Sequence, residues 1–527
     1  MSSAQRHVIR RQVVDVAFTG SEADGLALQR EVSALTRDWL APALDETFSR
    51  AQPNGEHWFL ERLDVDIGVF TVDSFRRDFV SAVAASIEGR LASMAKPGAA
   101  LAASREQSAP GRGGDMSGET PGAIHSGREI HRLTQAQSVQ EALVHFLMTG
   151  TLPWWFRLPA TQTFEQAVIE STPEPASISR AVMKAIASPV ARQRLIRQFS
   201  ADFLELVLHG ISPTAAEAIR QMTVVVVQQR LAMEMQRRAL EHIWQLAFTA
   251  VASQRAINVR SLAEEWLRDG SADHNAAERA VMIRLAQIWL EVASSTPPAV
   301  KGSSSVNSSS QGHGASEDTN AVRDAVHGQT SNDSAVPARA SGSGRSPLPA
   351  RNSDDAFIRL DLDDGIFVDC AGLVLLHPFL STLFERLDIA ADGKLVAIDR
   401  ALALLHFLAS GAKSAPEYAL ALPKILCGFA LDEPAGAAVE VTPAEEAEAN
   451  ALLVAVIGHW GALGDTSPDA LRGTFLMRPG KLATRGDDYL LQVEPQSVDV
   501  LLDRLPWSIG AVRLPWMTRL LWVEWRL

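Results

Sequence analysis

Four side chains in the C-terminal third, His377, His406, Cys427 and His459, are of the types that hold zinc. No pair has the i, i+4 spacing of a helical metal site or the close cysteine spacing of a structural one, so the pattern favours buried, hydrogen-bonded histidines. Asp64 and Asp66, two apart on one face of an expected strand, could form a carboxylate pair. A solvated face, or an ion pair with Arg62, is the commoner arrangement. Asp361-Leu-Asp-Asp-Gly365 has calcium-loop residues at the wrong spacing, with Gly372 where the closing Glu would stand. Ser341-Gly-Ser-Gly-Arg-Ser346 is glycine-rich but lacks the Lys-Ser/Thr of a phosphate loop, and reads as spacer. Nothing assembles a nucleophile, a base and an oxyanion donor, so no catalytic, cofactor-binding or metal-ligating residue is assigned.

The distinctive chemistry is instead tryptophan beside proline. Trp154 and Trp155 follow Pro153, Trp507 follows Pro506, Trp516 follows Pro515, and Trp522 and Trp525 come after them. Proline fixes the backbone where a large ring must be placed, and tryptophan supplies contact area at small entropic cost. Such rings make either packed core corners or interface anchors. Trp522 and Trp525 are the leading interface candidates of the six.

Those residues need elements to position them. Apolar residues are densest between Gly372 and Pro434, where Leu380, Leu383, Phe384 and Leu387, then Leu404, Leu405 and Leu408, recur at helical spacing. A length of 527 residues with 46% hydrophobic content suggests about three or four domains with real cores. A net charge of -13, without a basic stripe on any expected helix, argues against a nucleic-acid surface. Cys370 and Cys427 both lie in apolar words and read as buried thiols of a reducing cytosol. No signal peptide or uncharged span-length apolar run is evident, so a soluble, cytoplasmic protein is expected.

The fold expected is α+β and predominantly helical. Residues 1–94 read as a small α/β module. Its strands are Ile9 to Phe18, with a face change near Val13, and Leu63 to Val69. Its first helix is capped by Ser21 with Leu28, Val32, Leu35 and Trp39 on one face, and Pro42 kinks or ends it; Asp73 caps a second. With only two strands visible, that sheet needs others from elsewhere in the chain or from a neighbour. Residues 95–130 read as a flexible linker and 131–294 as a helical array, including a long run from Ala215 to Val251. Residues 295–355 form a second, disordered linker. Residues 356–527 form an α+β domain whose strands gather at its end: Asp488 to Val493, Ile509 to Leu514 and Leu520 to Trp525, with a helix over Pro495 to Arg504. Helices open there at Thr442-Pro-Ala-Glu445 and Ser467-Pro-Asp469. Two similar words, "HFLMTG" and "HFLASG", end helices at Gly150 and Gly411, by distant duplication or by a common helix-ending solution.

Several words also resemble a known family. "GLVLLHPFL", "HFLASG", "LPKILCG", "TSPDALRGTFLMRPGKL" and "LLDRLPWSIGAVRLPWM" resemble the C-terminal region of the contractile injection system tape measure family. "HVIRRQVVDV", "LQREVSAL" and "ERLDVDIGVF" resemble its N-terminal block, and "HFLMTGTLPWW" part of its middle. The resemblance implies a non-enzymatic structural or assembly protein of a bacterial phage-tail-like particle, controlling tube length or assembly. The implied partners are tube, sheath or baseplate proteins, with self-association as a further contact. An adaptor, cap or assembly chaperone of the same particle is the neighbouring reading. A metal-dependent hydrolase of envelope polymers is the reading from another class.

Overall fold

The computed structural model describes residues 7, 9, 12–51, 56–60, 62–95, 131–158, 162–172, 174–255, 257–269, 276–295, 365–436 and 439–525. Apart from Ala95 and Ser295, both expected linkers lie outside the described residues, as do the spacer at 341–346 and Asp361 to Asp364.

The N-terminal module opens with α1 (Glu22–Leu35), capped as expected by Ser21 and Asp24. A π-helical turn (Thr36–Leu40) carries it into α2 (Ala41–Ala51), so Pro42 sits in the first turn of a continuing helix rather than ending one. The extra residue in that turn rotates the face. Leu40 is buried in place of Trp39, which is 68% exposed. The two expected strands form no ladder: residues 12–19 and 62–70 carry no strand pairing, and Gly68 within the second is left-handed at φ 76°. Alternation selects the buried face, but a strand needs a partner backbone, and that is non-local information. The pairing that does form joins β1 (Glu56–Phe59) to β2 (His131–Thr134), antiparallel. Thr71, accepting from the Ser74 N–H at 3.3 Å, stands ahead of α3 (Val72–Ala95), the cap expected at Asp73.

The helical array comprises α4 (Gln135–Thr149), α5 (Phe164–Ser171), α6 (Pro175–Ala185), α7 (Pro189–Gln198), α8 (Ala201–Ile211), α9 (Pro213–Gln228), α10 (Met233–Ala252), α11 (Val259–Asp269) and α12 (Ala276–Ser295). Serine or threonine caps open five of them, each accepting a backbone N–H three residues on. The expected run from Ala215 to Val251 is two helices, broken where Arg230 turns left-handed at φ 49°. Trp266 and Trp289 meet edge to face at 4.9 Å in the core. Their indole N–H groups donate to Met282 O and Met222 O, so neither ring leaves a buried donor unmet.

The C-terminal domain begins with β3 (Ile366–Val368) and a 3-10 segment, Ala371–Leu376. Then come α13 (His377–Arg386), a two-residue hairpin β4–β5 (Ala390–Ala391, Lys394–Leu395), α14 (Ile398–Ser410), α15 (Ala421–Leu426), α16 (Pro443–His459) and α17 (Pro468–Leu471). The strands β6 (Gly480–Arg485), β7 (Asp488–Val493), β8 (Ala511–Val512) and β9 (Leu521–Glu524) finish it. Sheet order is β3-β6-β7-β9-β8. The strands are therefore not all gathered at the end, since β3 opens the domain and pairs with β6. Pro495 to Arg504 is 3-10 helix from Ser497. The 3-10 segment lies so close to the turn at 472–476 that only glycine fits at 372.

Candidate functional site

The helical array and the C-terminal domain meet at a buried charge cluster. α4 ends at Gly150 in the left-handed region, φ 79°. Arg194, whose side chain is fully buried on α7, donates from Nη1 to Leu147 O at 2.5 Å and from Nη2 to Asp432 O at 2.9 Å. Its Nε lies 3.0 Å from Glu417 Oε1, and Lys424 Nζ donates to the same oxygen at 2.7 Å. Lys424 also donates to Leu431 O and Glu433 O. One carboxylate thus holds two cations; main-chain carbonyls take the other Lys424 donors and one bond from each terminal nitrogen of Arg194, while Arg194 Nε and Glu417 Oε2 make no hydrogen bond. Burial pulls the Lys424 ammonium below its ordinary value, opposed by Glu417. A Cβ at Gly150 would sit 2.6 Å from Glu417 Oε1, so glycine serves both the backbone turn and the space.

Around this cluster Tyr418 packs edge-on against Phe146 and Phe164 of the array. The Glu417 N–H donates to Gln198 Oε1, and Arg157 pairs with Asp369 at the rim. Arg194, Glu417 and Lys424 were not among the residues singled out by chemistry. A signal existed: Lys424 interrupts Leu422-Pro-Lys-Ile-Leu426, and Arg194 stands on an apolar helical face.

The same device recurs inside the C-terminal domain. Gly411, φ 74°, ends α14, and Arg472 donates from Nε to Leu408 O, three residues before that glycine. Arg472 also reaches Asp469 and Asn450 and covers the Phe407 ring. Ser-Pro starts open α7, which bears Arg194, at Ser188, and α17, which runs directly into Arg472, at Ser467. The two glycine-ended words thus share an arginine clasp that sequence comparison of the words alone did not contain.

Among the tryptophans, Trp154 and Trp155 are half-buried, and Trp155 packs on the array core. The half-buried Trp507 and Trp516 donate to Leu375 O and Leu426 O, tying the last part of the domain to its 3-10 segment and to α15. Half-buried Trp522 donates to Asp488 Oδ2 beneath the Arg485 guanidinium. Trp525 is buried, donating to Asp499 Oδ2 beside the bidentate Arg478–Asp499 pair.

The zinc-type residues do not converge. His377 Nδ1 lies 2.9 Å from Val374 O, His406 is buried, and His459 is exposed against Phe379. Among the described residues no group of three or more His, Cys, Asp or Glu could hold a metal ion. Asp64 pairs with Arg62 at 2.7 Å. Burial pushes the Cys370 thiol up to about 12 and raises that of Cys427, which keeps both protonated at neutral pH.

Burial also holds His406 at about 4, against 6.5 for the free side chain. The unfolded chain therefore takes up this proton first as pH falls. The contribution is fully present above pH 6.5 and lost between 6.5 and 4, amounting to about 3 kcal/mol. Urea midpoints at pH 7.5 and 4.5 should show that loss, and His406→Leu should have a smaller difference between the two. An equal difference in both proteins would contradict the assignment.

With no convergent metal-binding cluster among the described residues, comparison with known proteins decides the family. A family model described as contractile injection system tape measure protein matches residues 6–525. The chain belongs to this family. The match runs through all three packed bodies, so the tape measure family region includes the N-terminal module, the array and the clasped C-terminal domain. No curated protein and no solved structure matches the chain. As a member of the tape measure family it is a structural component of a contractile injection system. Among the described residues no helix is long and apolar enough to cross a membrane.

Proposed function

We propose that this tape measure family protein acts without catalysis as an assembly factor of the contractile particle, working in the bacterial cytoplasm as packed bodies. The observation that carries the reading is the family match over residues 6–525. The form of the chain supports packed bodies over one continuous rod. α3, the longest described helix at 24 residues, would reach only roughly 36 Å. The array helices reverse on one another around a shared core, and Arg194, Glu417 and Lys424 hold the array to the C-terminal domain. Tube, sheath or baseplate proteins are the proposed partners. Trp154, half-buried after α4, and Trp522, half-buried on β9, are proposed contact anchors.

Deleting the gene and imaging particles by electron microscopy tests this. Loss of assembled particles is the expected result. Assembled particles of scattered length would replace the assembly reading with length control, and particles of normal number and length would overturn both.

A further inference from the structure

Residues 12–19 and 62–70 of the N-terminal module have the alternation of strands but no ladder. Among the described residues, neither stretch shares a backbone hydrogen bond with the other or with any other segment. On the second, Leu63, Val65 and Ile67 pack on the module core while Arg62, Asp64 and Asp66 face solvent. It ends at Gly68, φ 76°, whose N–H is taken by Asp66 Oδ1. On the first, Val14, Val16 and Phe18 line a groove of about 950 Å³ with Leu28 and Val32 of α1.

The module around them is thinly packed. Its described core holds six buried apolar side chains, Leu40, Leu44, Phe75, Phe79, Ile87 and Leu91. Val13 is 71% exposed and Val69 is 101% exposed. A two-stranded β1–β2 ladder adds little by itself. Unpaired backbone edges, the first of them beside a groove where Val14, Val16, Phe18, Leu28 and Val32 alternate with Gln12, Asp15, Gln29 and Ser33, are the features by which β-sheets recruit another strand.

We infer that the N-terminal modules of two copies of this chain pair by exchanging these edges, residues 12–18 of one copy laddering with 62–67 of the other. A second copy is the occupant because both unmet edges lie on one module and are of similar length. A two-fold arrangement satisfies both in both copies at once and closes on itself. A single foreign strand would fill one edge and leave the other open. Pairing within one chain is the competing arrangement, and the folded chain places the two stretches without it. The exchange puts Val14, Val16 and Phe18 on the same sheet face as Leu63, Val65 and Ile67, covering the groove. It does not depend on the family assignment, since it rests on unpaired backbone and on the side chains that flank it.

Light scattering on the full chain should give a mass twice the 57.0 kDa of one copy. Val16→Pro removes a backbone donor from the proposed ladder, at an exposed site where this structure uses none, and should return the mass to that of one copy with the circular dichroism unchanged. As a second reading, chains carrying Val14→Cys, Val16→Cys or Phe18→Cys are each mixed with Val65→Cys chains and mildly oxidised. At least one mixture should form a covalent heterodimer, against the low background of the buried Cys370 and Cys427. A mass of one copy for the unmodified chain would overturn the inference. So would a dimer that survives Val16→Pro, or the absence of a covalent heterodimer from all three mixtures.

Discussion

Glu417→Gln should lower the stability of the folded protein by about 3–5 kcal/mol, the usual loss when one partner of a buried ion pair is removed. Arg194 and Lys424 both rest on Glu417 Oε1, and both are shut off from water. The amide leaves two buried cations with no anion between them. Lys424 can shed its proton, since burial already draws its pKa down, whereas a guanidinium as a group keeps its charge. The loss should therefore shrink, without vanishing, as pH rises into the alkaline range and folded Lys424 becomes neutral. Because the cluster lies on the seam, hydrogen exchange should rise first around Leu147, Gln198 and Asp432. The triple variant Arg194→Met, Glu417→Leu, Lys424→Met removes all three charges together and should recover much of the stability. Urea unfolding monitored by tryptophan fluorescence measures each case. A Glu417→Gln protein within about 1 kcal/mol of the parent would show that the cluster is not a structural clasp.

Gly372→Ala should be at least as damaging. An added Cβ would lie 1.7 Å from Phe475 O and 2.7 Å from Leu476 Cα, both backbone atoms. No rotamer change can relieve such a clash, so the 3-10 segment and the turn at 472–476 must separate. That turn carries Arg472, whose guanidinium closes α14, and leads into Arg478 and β6. We expect a loss of about 3 kcal/mol or more, seen as a melting temperature about 10 °C lower or as insoluble protein. Gly458→Ala is the matched control: it lies in α16 with nothing within 4 Å of the added methyl. It should stabilise by roughly 0.5–1 kcal/mol. Equal melting temperatures for the Gly372→Ala protein and its parent would refute the close approach.

What could be read beforehand was what is written locally. Ser21 with Asp24, Thr442 with Glu445, and the glycines at 150 and 411 act through neighbours within four residues, and the structure has each in place. The apolar stripes of α13 and α14 were legible for the same reason. Pairing was not. Strand β3 is three residues long and meets β6 more than a hundred positions later, a match no periodicity reveals. Residues 63–69 show the converse: their alternation put Leu63, Val65 and Ile67 on the inward face, but Val69, beyond the left-handed Gly68, is fully exposed, and the pattern could not supply a partner backbone. The charge cluster escaped because Arg194, Glu417 and Lys424 come from three separate elements. Charged residues read singly look like surface. Only the apolar company of Lys424 hinted otherwise.

The placement of β9 bears on how the chain is made. Residues 521–524 lie between β7 and β8, running parallel to the first and antiparallel to the second. During synthesis β3, β6 and β7 can align as they emerge, yet the interior edge of β7 stays open until this late strand leaves the ribosome. The helical array, complete far earlier, has no such wait. Each new molecule should therefore pass through an interval in which a finished helical body trails a half-built sheet, and cellular folding helpers would find their substrate there.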